Sequence, residues 1–242
     1  MPVIPPPLIG RASVLAEVVR RARAGRGSAL TGPRGLGGTR LLTEAFATLR
    51  RSRIAVGRLV LVPAGEGGRT DPFLGLLDRA TLAALPPGDR RAVREAVRAL
   101  RLQVLVIDDA HLLDEASGAL VVELARSGVA VLANTTGPGG MPDALRALVD
   151  EERMVRTPLA PLTPEEVLEL AEQLLGDPVT TELAQALMEA SAGRPGALTE
   201  LIEDALEAHT IEDGDGLWHL AGPLPPARSV RCLLYTSPSP RD

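Results

Sequence analysis

Between positions 12 and 158, short unbroken apolar runs alternate with stretches whose apolar residues recur every three or four positions. The first pattern suits strands buried on both faces and the second suits amphipathic helices. Their alternation is that of a parallel sheet with helices packed on it. The pattern predicts a helix over 13–24, a strand over 28–31, a glycine-rich turn and a helix over 39–51. A strand over 58–62 follows, ended by Pro63 and a glycine loop over 65–68. Helices over 72–85 and 89–101 lead into a strand over 103–107. After Asp108 and Asp109 come a helix over 115–126, a strand over 129–133, a glycine-rich loop over 136–140, a short helix over 142–150 and a fifth strand over 154–159.

From Pro161 onward the pattern predicts helices only, over 164–175, 180–191 and 195–208. The first opens on Thr163-Pro164-Glu165-Glu166, with an N-cap, a proline at the first helical position and a capping-box glutamate. The expected division is an α/β domain over 1–160, a small all-α lid over 161–222, and a linker and tail over 223–242. The tail from Cys232, CLLYTSPSPRD, shares neither the composition nor the periodicity of what precedes it and resembles translated library-adaptor sequence. The natural chain is expected to depart from it after about residue 231.

Composition narrows the function classes. The chain has 242 residues, 45% hydrophobic but only 2% aromatic, so the core is built from aliphatic side chains and an aromatic base-stacking platform is not expected. A net charge of −5 gives no bulk attraction to DNA or to anionic membrane. No apolar run approaches the roughly 18 residues of a membrane span, and the first ten residues do not resemble a secretory signal. The single cysteine, Cys232, excludes a disulfide framework or a cysteine-ligated zinc site. A cytoplasmic protein is expected. Every basic residue is arginine, a bias that bears on one position below.

The segment Gly32-Pro33-Arg34-Gly35-Leu36-Gly37-Gly38-Thr39-Arg40 lies between a predicted strand and a predicted helix, the context of a phosphate-binding loop. Gly32, Gly37 and Thr39 fall on the G-x-x-x-x-G-K-[ST] positions. Glycines there let successive backbone N–H groups converge on phosphate oxygens at the positive end of the helix, and the threonine hydroxyl is placed for Mg²⁺. Gly38 stands where the lysine belongs, which removes charge-assisted hydrogen bonds of about 1.5–3 kcal/mol each. Arg40 is rotated about 200° from the face of residue 38; Arg34, inside the loop, is better placed to compensate. The alternative is a plain glycine-rich strand-to-helix turn.

Val104-Leu105-Val106-Ile107-Asp108-Asp109 is an apolar strand that ends in two carboxylates. In P-loop ATPases a strand-end Asp supports the Mg²⁺ shell and the next acidic residue polarises water, roles that fall here to Asp108 and Asp109. The alternative is an N-cap for the next helix. His111 is expected in local hydrogen bonding.

Four segments, Leu-Ile-Gly-Arg at 8–11, the loop at 32–42, VLVIDDAHLLD at 104–114 and SAGRPGAL at 191–198, together resemble the ATPase region of large LuxR-type (MalT-like) bacterial transcription regulators. These belong to the signal-transduction (STAND) class of AAA-related ATPases. The resemblance spans residues 8–210. It implies a P-loop NTPase fold of the ASCE/AAA-like kind: a five-stranded parallel sheet sandwiched by helices and followed by a helical lid. It implies ATP or ADP with Mg²⁺, Ile9, Gly10 and Arg11 near the adenine, the lid motif Gly193-Arg194-Pro195 over the nucleotide, and Asn134 as a polar sensor. A turn at Gly10, a helix stop and restart at Gly193–Pro195 and a strand cap at Asn134 are the plain alternatives. Where the family has an acidic residue after its first Gly-Arg, this chain has Ala12. The function implied is a nucleotide-dependent regulatory switch with weak or absent hydrolysis, self-associating on activation and reaching DNA only through a helix-turn-helix beyond this chain. A nucleotide-free scaffold and an active AAA-type ATPase working on nucleic acid are the other two readings.

Overall fold

The computed structural model describes residues 8–61, 72–86, 88–135 and 140–225. The expected loop over 65–68, residues 136–139 of the loop expected over 136–140, Pro63 and the tail from Cys232 lie outside them. The chain divides into two compact units. Among the described residues, one comprises Ser13–Arg34 and Gly38–Leu159; the other comprises residues 8–12, Gly35–Gly37 and residues 160–225. The assignment of residues 8–12 and of the loop apex to the helical unit does not follow from reading the chain in linear order.

The P-loop unit is built on five parallel strands, β1 (Gly27–Thr31), β2 (Val56–Leu59), β3 (Val104–Ile107), β4 (Ala130–Asn134) and β5 (Met154–Pro158), in the order β2-β3-β4-β1-β5. Every residue of β3 and β4 is buried, as interior strands covered on both faces require, whereas the edge strands β2 and β5 are buried at only two positions each. Helices α1 (Ala12–Arg23), α2 (Gly38–Arg51), α3 (Arg79–Ala84), α4 (Arg90–Ala99), α5 (Glu115–Arg126) and α6 (Asp143–Asp150) accompany the sheet. Their starts are written in the sequence. Asp78, Asp89 and Asp114 each accept a backbone N–H in the first turn of α3, α4 and α5. Gly118 on α5 lets α6 come close, since a Cβ there would lie 2.9 Å from Ala144 Cβ.

Two expected elements are corrected. The strand expected over 58–62 is Val56–Leu59, because it can extend only where β3 offers partners, from Val56 opposite Val104 to Leu59 opposite Ile107. Val60 then emerges 66% exposed. The helix expected over 72–85 is a 3₁₀ turn, Pro72–Leu76, and the separate α3, because Asp78 caps a new start through Thr81 N–H at 2.7 Å.

The helical unit holds α7 (Pro164–Leu175), α8 (Thr181–Ser191) and α9 (Pro195–Glu207) around a core of Leu170, Leu183, Leu187, Leu198 and Leu201. Thr163 and Glu166 form a reciprocal capping box at α7, and Gly176 ends that helix at φ 87°. The helices-only expectation is corrected here. An antiparallel hairpin, β6 (Ile211–Asp213) with β7 (Trp218–Leu220), follows α9. Its turn is closed by Gly216 N–H donating to Asp213 Oδ1 at 2.9 Å, with Asp215 and Gly216 at positive φ. The Asp-Gly-Asp-Gly run is a turn signal, masked by strands of only three residues each. Among the described residues no helix is long and apolar enough to cross a membrane.

Candidate nucleotide-binding site

β1 delivers the chain into the glycine-rich loop and α2 receives it at Gly38, so the loop stands at the carboxyl end of the sheet. Gly32 takes φ 145°, which an L side chain rarely adopts. At the same end, Asp108 directly follows β3 and Asn134 ends the adjacent β4. Thr39 Oγ1 donates to Asp108 Oδ1 at 3.1 Å, and Asn134 Nδ2 donates to the same oxygen at 2.9 Å. Asn134 Nδ2 also lies 3.4 Å from Thr39 Oγ1, and Asp109 N–H reaches Asp108 Oδ1 at 3.1 Å. Asp108 is therefore the centre of a polar cluster between α2 and two strands.

Asn134 is 3% exposed and its amide fills the space over Gly38. A Cβ at position 38 would lie 2.8 Å from Asn134 Cγ and 3.0 Å from Nδ2, and its nearest neighbour would be Oδ1. The missing lysine is thus matched by a neighbour that occupies the room its first carbon needs.

Asp109 adopts a left-handed conformation at φ 47° and its side chain caps nothing. The N-cap alternative for the acidic pair is corrected: Asp114 performs that task on α5, accepting Ser117 N–H at 2.7 Å. A non-glycine residue in this region carries about 1–3 kcal/mol of strain and tends to mark functional positions. Among the described residues the buried Nδ1 of His111 has no hydrogen-bond partner, so the local bonding expected of that residue is not met at this atom. Arg40 is held by Glu44 at 3.1 Å, while Pro33 and Arg34 are exposed. A residue that sequence reasoning missed joins the cluster: Arg58 Nη2 on β2 stands 3.6 Å from Asp108 Oδ2. No local signal marks it, since the meeting depends on β2 pairing with β3.

The remaining expected residues lie in the helical unit. Ile9 packs against its core. Gly10, at φ 66°, faces the Glu166 carboxylate so closely that a Cβ would sit 2.5 Å from Cδ. Arg11 is 5% exposed and donates to the carbonyls of Ala160 and of Leu36, the latter at 3.4 Å. Burial pulls its guanidinium pKa down, opposed by Glu166. Arg11 is thus engaged in fixing backbone. The loop apex also meets the start of α9, where Gly196 N–H donates to Gly35 O at 3.2 Å. The Arg194 side chain bonds Ser191 O through Nε at 3.1 Å, and Pro195 occupies the first turn of α9 beside Gly37.

Thr39 and Asp108 supply two adjacent oxygens of the kind hard divalent cations take, beside a helix N-terminus that favours anions. The donor set fits Mg²⁺ and nucleotide phosphate, although no protein cage is present. Among the described residues no group of three or more His, Cys, Asp or Glu side chains could hold a metal unaided.

A five-stranded parallel sheet flanked by helices, in this strand order and with this loop after the interior strand β1, defines the α/β fold of P-loop AAA-type ATPases. Domain III of the Thermotoga maritima replication initiation protein DnaA matches with a TM-score of 0.57 and 18% identity, over 88% of this chain and 90% of its own. The Aeropyrum pernix ORC1 protein, solved in complex with DNA, matches with a TM-score of 0.55 and 20% identity over 84% of this chain and 61% of its own. A Thermotoga maritima RuvB point mutant matches at 0.53 and 20%, over 83% of this chain and 64% of its own. This chain therefore spans under two thirds of the last two proteins, and at such identities the likeness is one of fold. No protein-family profile and no curated protein matches the chain.

Proposed function

We propose that this chain is the ATP-binding regulatory domain of a LuxR-type (MalT-like) transcription regulator, a cytoplasmic nucleotide-dependent switch with weak or absent hydrolysis. The observation that carries the nucleotide reading is the cluster of Thr39, Asp108 and Asn134 around Gly38 at the start of α2. Its fold neighbours are P-loop ATPases, which supports nucleotide and Mg²⁺ use in general. The regulator reading rests on the four sequence segments shared with that family.

The loop amides and the N-terminus of α2 bind phosphate, Thr39 and Asp108 hold the metal side of the phosphates, and Asp109 orients water. Bound Mg²⁺ would supply neutralisation of phosphate charge. Gly38 withholds the ammonium that would stabilise charge developing during transfer, so binding outlasts turnover. A nucleotide then acts by binding one conformation better than another and shifting the population by that difference in affinity.

The nucleotide content of purified protein, followed by titration with Mg-ATP, tests the reading. Co-purified ADP or ATP, or saturable binding without steady turnover, is expected. Protein that is empty and binds none is the scaffold instead. The DnaA and ORC1 neighbours favour a second reading, an ATPase acting on nucleic acid, and steady turnover stimulated by DNA would establish it. For the regulator itself, the full gene should continue through helical repeats to a DNA-binding helix-turn-helix; a stop codon soon after residue 230 would overturn that part.

A further inference from the structure

The phosphate loop lacks its lysine, so any nucleotide site here must find its cation elsewhere or bind phosphate with dipoles alone. Three arginines of the P-loop unit stand near enough in sequence or space to consider. Arg40 is committed to Glu44 at 3.1 Å, one helical turn away from the loop. Arg34 is exposed, with no hydrogen bond or ion pair among the described residues, so ordering its long side chain on a phosphate carries the full rotamer cost. Arg58 differs from both. It leaves the edge strand β2 one residue before the end of its pairing with β3, and its guanidinium already faces Asp108 Oδ2.

The other oxygen of Asp108 accepts from Thr39, whose hydroxyl belongs to the loop motif. Arg58 is therefore joined to the phosphate site through a single carboxylate. Its separation from Asp108, 3.6 Å, exceeds the roughly 2.7–2.9 Å of a tight charge-assisted hydrogen bond. Its side chain is 36% exposed. The guanidinium is thus pre-positioned yet loosely held, and it can exchange a carboxylate for a phosphate of matching geometry.

We propose that Arg58 is the phosphate cation of this site: it neutralises Asp108 in the nucleotide-free protein and hydrogen-bonds the terminal phosphates of a bound nucleoside di- or triphosphate in place of the missing lysine. This rests on the nucleotide-binding reading above. It also accounts for a loop that has given up its own cation while keeping Asp108, Thr39 and Asn134 together.

The test is to measure the affinities of ATP, ADP and AMP, by displacement of a fluorescent ADP, for the wild type and for Arg58→Ala, Arg58→Gln and Arg58→Lys. Because Arg58 is assigned to the terminal phosphates, Arg58→Ala and Arg58→Gln should weaken ATP and ADP on the order of tenfold to a hundredfold. AMP should change less than about twofold, and Arg58→Lys should recover part of the loss. An equal loss for all three nucleotides marks a general structural role and overturns the assignment, as does unchanged ATP affinity in Arg58→Gln. If the wild type itself binds none of the three, the nucleotide reading fails and the assignment with it. If the wild type binds but its preference for ATP over AMP survives loss of Arg58, the assignment alone fails.

Discussion

The helices of the two units treat charge in opposite ways. In the P-loop unit, residues four apart pair acid with base: Glu17 with Arg21 at 2.7 Å, Arg40 with Glu44 at 3.1 Å and Arg91 with Glu95 at 3.1 Å. In the helical unit the same spacing sets Glu165 against Glu169, Glu200 against Asp204 and Glu203 against Glu207. Between residues 160 and 225 there are 14 acidic side chains and one arginine, Arg194; between 13 and 159 there are 16 acidic side chains and 21 arginines. Like charges at this spacing each cost a helix about 0.2–0.5 kcal/mol. The helical unit accordingly depends on its leucine core and its caps, while surface ion pairs add to the P-loop unit.

The sharpest contrast lies in one glycine from each unit. Gly193 has φ 67°, and a Cβ there would lie 2.5 Å from the backbone oxygen of Leu162, whose N–H in turn donates to Gly193 O at 2.7 Å. Both the backbone conformation and an immovable neighbour forbid a side chain. Gly193→Ala should therefore cost about 3 kcal/mol or more and expose the amides of α9 to hydrogen exchange. A loss under about 1 kcal/mol would show that the 162–193 contact is slack.

At Gly38 the three atoms nearest to an added Cβ all belong to the Asn134 amide, which is able to rotate. Gly38→Lys alone should lower stability by roughly 1–3 kcal/mol, because it breaks the bonds of Asn134 to Asp108 and Thr39. Adding Asn134→Ser should restore much of that loss and raise ATP affinity. Thermal melts and nucleotide titration of the single and double variants decide it. If the double variant is no better than the single one, Asn134 is not what bars a lysine.

The caps should give nearly equal effects in the two units. Asp114→Ala at α5 and Thr163→Ala at α7 each remove one side-chain bond to a first-turn N–H, at 2.7 Å and 3.3 Å. About 1 kcal/mol is expected from each. Thr163 should cost the more, since its capping box is reciprocal and α7 carries no basic residue to form an ion pair along its own length. Denaturant midpoints measure this; a clearly larger loss at Asp114 would count against the greater dependence of the helical unit on its caps.

The same local signals explain what could be read before the fold was known. Helices α5 and α7 have the bounds expected from pattern alone, because Asp114, Thr163 and Pro164 announce them within a few residues. The sheet, its parallel sense and the glycine-rich loop after its first strand were legible from the sequence pattern. What escaped depends on pairing at a distance. The limits of β2 are set by where β3 ends, and the arrival of Arg58 and Asn134 at Asp108 requires the order β2-β3-β4. Arg11 is another case, since its carbonyl partners are Leu36 and Ala160, far along the chain. The hairpin after α9 fell below the length at which alternation is visible.

The charge contrast itself is best tested with acid and salt, where the effects are smallest. In the P-loop unit, Glu44 is held below its ordinary pKa of 4.5 chiefly by Arg51 and then Arg40, and Glu151 below the same value chiefly by Arg126. A carboxylate whose folded pKa is depressed stabilises the fold fully above its unfolded value and loses that contribution as pH falls through the folded one. These pairs should therefore hold from neutral pH down to about 4.5 and weaken below it. Both lie at the surface, so the effect is modest. Salt separates the units more cleanly. At an ionic strength of about 0.1 M exposed charges are screened beyond roughly 10 Å, and at about 1 M beyond roughly 3 Å. Raising salt across that range should weaken ion pairs such as Arg126–Glu151 while relieving repulsion along α7 and α9. Amide exchange should then quicken in α5 and α6 and slow in α9. If both units respond to salt with the same sign, the division of labour between ion pairs in one and a leucine core in the other is wrong.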